Sequence, residues 1–125
     1  MADQNGLSVL LIDDEEDFIR TLATRLELRG MRARTAFSGE AGLKSLEEEA
    51  PDVVLLDMRM PGLSGFDVLR RIRAAHKDLP VIILSGHCSE EDRNQMLALG
   101  VSGYLTKPVR FEELLAALRG LERLS

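Results

Sequence analysis

Four places in this chain put a reactive side chain directly after a short apolar run. Asp13-Asp14 follow Val9-Leu10-Leu11-Ile12, and Asp57 follows Val53-Val54-Leu55-Leu56. Ser85 follows Val81-Ile82-Ile83-Leu84, and Lys107-Pro108 follow Gly103-Tyr104-Leu105-Thr106. If these runs are neighbouring parallel strands, three carboxylates, a hydroxyl and an ammonium converge at one end of a sheet, where open parallel sheets bind ligands. Two carboxylates about 5 Å apart repel by roughly 3 kcal/mol at an effective dielectric near 20, so three of them need a counter-charge. Lys107 supplies one. Hard oxygen donors with open positions also suit Mg²⁺, which keeps several waters and binds phosphate oxygens. A divalent ion beside a carboxylate nucleophile, with a lysine and a hydroxyl to hold phosphoryl oxygens, is an arrangement for phosphoryl transfer to aspartate. Taken singly, each piece has a plainer reading. An Asp after a strand is ordinarily a turn or capping residue. The acidic run from Asp13 to Asp17 resembles a solvated face or the acidic first turn of a helix, and Glu15 to Asp17 fit that description. The conjunction carries the chemistry.

The elements that must position these groups are legible from the same pattern. The four runs are strand-length and near-continuous in apolar character, as strands covered on both faces of a parallel sheet are. A fifth candidate, Arg32-Ala33-Arg34-Thr35-Ala36, alternates and carries two arginines, which suits an edge strand with a wet side. Between the strands lie helix-length stretches with apolar residues three and four apart: Phe18, Leu22 and Leu26; Leu43 and Leu46; Leu69 and Ile72; Phe111, Leu114, Leu115, Leu118 and Leu121. Ser64-Gly65-Phe66-Asp67 and Ser89-Glu90-Glu91-Asp92 have the form of capping boxes, and Gly30 and Gly100 stand where helices should end. Five βα units are too few for an eight-stranded barrel, so the expected architecture is an α/β, (βα)5 open doubly wound parallel sheet with helices on both faces.

Composition narrows the function classes. A chain of 125 residues, 45% hydrophobic and 30% charged, suits one domain, here expected over 7–125 behind a flexible leader, 1–6. The balance of 16 Lys+Arg against 21 Asp+Glu, net -5, disfavours a nucleic-acid or anionic-membrane binder held by bulk charge. With no Trp, one Tyr and four Phe, the chain also lacks stacking surfaces for single-stranded nucleic acid. Cys88, the single cysteine, can form neither an intramolecular disulfide nor a cysteine-based zinc site. The N-terminal Met1-Ala2-Asp3-Gln4-Asn5-Gly6 lacks the basic start and apolar stretch of a signal peptide, and no apolar run approaches membrane-spanning length. A cytoplasmic location is the expectation.

The ordered set of motifs resembles the receiver domain of the two-component response-regulator family over nearly the whole chain. The matching pieces are Asp13-Asp14, then Asp57-Met58-Arg59-Met60-Pro61-Gly62-Leu63-Ser64-Gly65, then Ser85-Gly86, then Tyr104-Leu105-Thr106-Lys107-Pro108. The resemblance implies a flavodoxin-like fold with strand order 2-1-3-4-5. It implies that Asp57 is the nucleophile that accepts a phosphoryl group from a phosphohistidine on a sensor histidine kinase or histidine phosphotransfer protein. Asp14, Asp57 and the backbone carbonyl of Arg59 would bind Mg²⁺ directly, and Asp13 through a water. Ser85 and Lys107 would hold phosphoryl oxygens, Ser85 and Tyr104 would move as the switch, and the Lys107-Pro108 bond would be cis. The face that changes and meets partners, including a second copy of the chain, would be the fourth helix, fifth strand and fifth helix, about 90–121. Gly86 would leave space for phosphate approach, although a simple turn role fits it as well. Arg59 and His87, two residues beyond Asp57 and Ser85, hold positions that in the family influence how long the phosphoryl group lasts; exposure without a role is the plainer reading of each. His76 is read as a helix-end surface residue, Cys88 as incidental, and Met58 and Met60 as packing.

Competing readings are weaker on the same residues. A small Mg²⁺-dependent phosphatase of the haloacid dehalogenase type wants a second Asp two residues after its nucleophile, where this chain has Arg59. A flavin carrier on the same fold wants a Ser/Thr- and Gly-rich first loop at a helix N-terminus, where this chain has Asp13-Asp14-Glu15-Glu16-Asp17. A receiver-like module that is not phosphorylated would have little use for a complete set of acids, hydroxyl and lysine. The expected function is therefore a phosphorylation-controlled switch rather than an enzyme, with only self-catalysed uptake and loss of its phosphoryl group.

Overall fold

A computed structural model describes residues 6–124. The expected leader therefore lies outside the described residues except for Gly6, and so does Ser125. Within them strands and helices alternate strictly: β1 (Ser8–Ile12), α1 (Glu16–Glu27), β2 (Arg32–Ala36), α2 (Gly39–Glu48), β3 (Val53–Asp57), α3 (Gly65–Ala75), β4 (Val81–Ser85), α4 (Glu90–Ala98), β5 (Gly103–Thr106) and α5 (Phe111–Leu124). All strand pairs are parallel, in the order β2-β1-β3-β4-β5. The expected fold class and strand order are borne out.

The continuity of the apolar runs follows from their double coverage, because successive strand residues point to opposite faces. Val9, Leu11, Val53, Leu55, Ile82 and Leu84 pack with Ile19, Leu22 and Leu26 of α1 and Leu114 and Leu118 of α5. Leu10, Ile12, Val54, Leu56, Val81 and Ile83 pack on the other side with Leu46 of α2, Val68, Leu69 and Ile72 of α3, and Met96 of α4. The α1 stripe differs from expectation by one residue. Ile19, not Phe18, is fully buried, and Phe18 is only partly buried at the margin of the core.

Two further details depart from the sequence pattern. The Ser89 capping box is complete, but at Ser64 the Asp67 carboxylate accepts from the Ser64 hydroxyl (3.0 Å) instead of reaching back to the Ser64 backbone. On the edge strand β2, Arg32 is exposed as expected, while Arg34 leans over the end of α2. Its guanidinium donates to the Ser45 hydroxyl (2.9 Å), the Ser45 carbonyl (3.3 Å) and the Glu49 carbonyl (2.6 Å). It satisfies the Glu49 carbonyl just past α2 and shares the Ser45 carbonyl with the Glu49 N–H, at the helix end where a cation is favoured.

The helices are unequally anchored. In α4 only Met96 is buried, and Leu97 is 62% exposed. Its C-terminal end is instead pinned by Arg73 of α3, which donates to the carbonyls of Leu99 (2.7 Å), Gly100 (2.9 Å) and His76 (3.0 Å). Gly30 and Gly100 take positive φ just past α1 and α4, as their positions predicted. No helix among the described residues is long and apolar enough to cross a membrane.

The loop from β3 to α3 depends on Gly65. A Cβ there would stand 2.4 Å from Met58 Cα and 2.7 Å from the Asp57 carbonyl oxygen, both backbone atoms that cannot swing aside. We expect Gly65→Ala to cost about 1–3 kcal/mol in urea unfolding, the usual penalty of overpacking. A midpoint within error of wild type would show that this approach is not required.

Candidate functional site

Parallel register builds the site. Ile12 pairs with Leu56, so the next residues, Asp13 and Asp57, sit side by side at the carboxyl ends of β1 and β3. Asp57 in turn pairs with Leu84, and Ser85 with Thr106, so Ser85 and Lys107 fall on the same edge. The Lys107 backbone N–H donates to the Ser85 carbonyl (2.8 Å), and the Lys107-Pro108 bond is cis.

Carboxylate oxygens of Asp13, Asp14 and Asp57 lie within 4.8 Å of one another. Asp13 is completely buried. One of its oxygens accepts the Glu15 backbone N–H (2.9 Å), shaping the turn into α1, and the other accepts from Lys107 Nζ (2.8 Å). Asp14 is exposed at the open side, and Asp57 is 4% exposed. Lys107 Nζ stands 3.6 Å from Asp57 Oδ1, an ion pair without a hydrogen bond.

Burial pushes the Asp57 carboxyl up to about 6, and the neighbouring Asp13 charge pushes the same way, with Lys107 and the Arg59 backbone N–H opposing. Burial would pull Lys107 down, but its hydrogen bonds to Asp13 and Glu15 outweigh it, and the ammonium is held above its ordinary range. The donor set is all hard oxygen, deficient in positive charge and open on one side, which fits Mg²⁺.

The structure brings Asp13, Asp14, Asp57 and Lys107 together. Ser85 is buried on the same edge, but its hydroxyl donates to the His87 carbonyl (3.0 Å). Tyr104 lies apart, half-buried on the α4 side of the sheet with the Arg93 guanidinium 5.4 Å from its ring centroid. The side chains of Arg59 and His87 are exposed, and Gly86 has nothing within 4 Å of where a Cβ would stand, so sterics do not require glycine there. His76 caps α3, and Met58 and Met60 are buried packing residues, as expected. Cys88 is half-buried; burial raises its thiol, and the Tyr104 hydroxyl opposes the shift.

Sequence reasoning missed Glu15. It was grouped with the solvated acids of the first helical turn, yet its carboxylate accepts from Lys107 Nζ at 2.6 Å. Its signal was indirect: Glu stands at the N-cap of α1, where Ser, Thr, Asp or Asn is preferred, and makes no capping bond there.

Comparison with known proteins agrees with this geometry. The family model described as "Response regulator receiver domain" matches residues 9–119. The transcriptional regulatory protein KdpE of Mycobacterium tuberculosis is 42% identical over 115 residues, 92% of this chain and 50% of the relative. The Francisella response regulator 1452 receiver domain has a TM-score of 0.86 at 31% identity, covering 96% of this chain and all of that one. A response regulator receiver domain from Clostridium thermocellum is 36% identical, with a TM-score of 0.85 over 91% of this chain and 92% of its own. The chain belongs to the response regulator receiver domain family of two-component systems. It spans about half the length of the curated relatives it matches.

The raised Asp57 carboxyl has a sign. Its folded value, about 6, exceeds its ordinary 3.8, so the unstrained state is complete below about 4 and stability falls as pH rises through about 6. In chelator, thermal unfolding should show this loss, worth up to about 3 kcal/mol, and Asp57→Asn should flatten it. A wild-type profile equally flat between those values would contradict the assignment.

Proposed function

We propose that this domain is a phosphorylation-controlled switch in which Asp57 accepts a phosphoryl group from a phosphohistidine on a sensor histidine kinase or histidine phosphotransfer protein. The observation that carries this reading is the buried Asp57 carboxylate beside two further acids and within 3.6 Å of one ammonium. An Asp57 oxygen attacks phosphorus, the nitrogen–phosphorus bond of the donor breaks, and the imidazole leaves with the electron pair and takes a proton. Mg²⁺ held by Asp14, Asp57 and the Arg59 carbonyl, with Asp13 less directly engaged, would draw negative charge from the transferring oxygens. Lys107 then pairs with one phosphoryl oxygen. Ser85 exchanges its bond to the His87 carbonyl for one to a second phosphoryl oxygen. Uptake and slow hydrolysis are self-catalysed, with no outside substrate turned over.

The new group adds about two negative charges, which bias a surface with two arrangements. The weak apolar anchoring of α4 supports placing that surface on α4, β5 and α5. There a groove of about 440 Å³ is lined by Arg93, Met96, Leu97 and Tyr104. Tyr104 turns inward as Ser85 moves, and a second copy or an effector binds the altered face. The relatives are transcriptional regulatory proteins, which favours a transcriptional output in the cytoplasm.

Intact mass after incubation with acetyl phosphate and Mg²⁺ should rise by about 80 Da, the mass of one phosphoryl group, and the gain should vanish in Asp57→Asn or with chelator. No gain in wild type, with this small donor or a histidine phosphotransfer protein, would defeat the reading. Arg59, exposed beside Asp57, shields the acyl phosphate from water in this scheme. Arg59→Ala should therefore shorten its lifetime, and an unchanged decay rate would remove that role.

A further inference from the structure

Lys107 is held from the α1 side by more than one group. Its ammonium donates to Glu15 Oε1 (2.6 Å) and Asp13 Oδ2 (2.8 Å), and lies 4.9 Å from the centroid of the Phe18 ring. Asp57 Oδ1, at 3.6 Å, is outside hydrogen-bonding range. The two short bonds are not equivalent. Asp13 is fully enclosed, whereas the Glu15 side chain is 61% exposed and has water to replace the ammonium. Glu15 is also free of the usual work of its position, since it occupies the N-cap of α1 without making a side-chain capping bond.

We propose that Glu15 is a positioning residue that latches Lys107 toward α1 and competes with the phosphoryl group on Asp57 for the ammonium. The inference rests on the phosphoacceptor reading and adds a residue to it. Release of the exposed Glu15 contact, with Asp13 retained as anchor, lets the ammonium swing toward Asp57. Glu15 thereby weakens recognition of the phosphoryl group, through an ion pair that solvent can open.

Glu15→Gln tests this, with Glu16→Gln as a control that removes the same charge one residue away. Among the described residues Glu16 pairs only with exposed Arg20 (3.4 Å), and it is not among the ion-pair partners of Lys107. In chelator, nitrogen-15 NMR of the Lys107 ammonium should show faster proton exchange in Glu15→Gln than in wild type or Glu16→Gln. At saturating Mg²⁺, calorimetric titration with beryllofluoride, an anion shaped like a phosphoryl group, should give roughly two- to fivefold tighter binding to Glu15→Gln alone, the span expected of an exposed ion pair. Unchanged ammonium exchange would overturn the latch, as would beryllofluoride binding that is unchanged, weaker or equally tightened in the control. Absence of beryllofluoride binding to all three proteins would instead defeat the phosphoacceptor reading, and the latch with it.

Discussion

One ammonium against three carboxylates is the imbalance on which the rest of this molecule turns. A parallel sheet brings every strand to the same edge with the same polarity, so the polar residues that end its apolar runs must meet. Here they are Asp13, Asp14 and Asp57, with Lys107 arriving from β5. Lys107 meets part of the demand by bonding Asp13, which is completely enclosed and would otherwise be an unpaired buried charge. Asp57 is raised chiefly by its burial, and the unneutralised Asp13 charge adds to that shift. A site in this state would gain by taking up a cation, and under the proposed function a phosphoryl group would share that cation.

The scaffold around this imbalance is deeply buried along β1 and β3, at whose ends the acids sit, and weakly anchored at α4. β1, β3 and β4 are buried along their whole length, and the approach of Gly65 to Met58 holds the chain after Asp57 in position. α4 contrasts with them. One buried side chain, a capping box and an arginine from α3 hold it, and two of these three are polar contacts near its ends. Elements with few buried apolar contacts open at lower free energy, so a charge change at the strand ends meets least resistance in that direction.

Legibility in the sequence followed how local each signal was. The central strands were plain because burial on both faces demands unbroken apolar runs, and their order followed once the motifs were recognised together. The α1 stripe was misread by one residue, since Phe18 and Ile19 both satisfy helical spacing and only the depth of packing separates them. Arg34 looked like the wet side of an edge strand. It proved to bind the end of α2, a use that depends on the Ser45 and Glu49 carbonyls 11 and 15 residues away. Ser64 kept its capping role while the Asp67 carboxylate took the hydroxyl rather than the backbone N–H, a choice between donors that composition does not reveal.

The sequence alone determined the fold class, the edge of the sheet at which chemistry gathers and the residue types that meet there. Each follows from apolar periodicity and from the polar residue that ends each run, which are local properties of the chain. Only the tertiary structure decided how the one ammonium is shared. Lys107 reaches Asp13 across 94 residues and Glu15 across 92, and stops short of Asp57. That allocation depends on tenths of an ångström between side chains held on separate strands and a helix, and on which carboxylate water can reach. Both are set only when the whole sheet has closed.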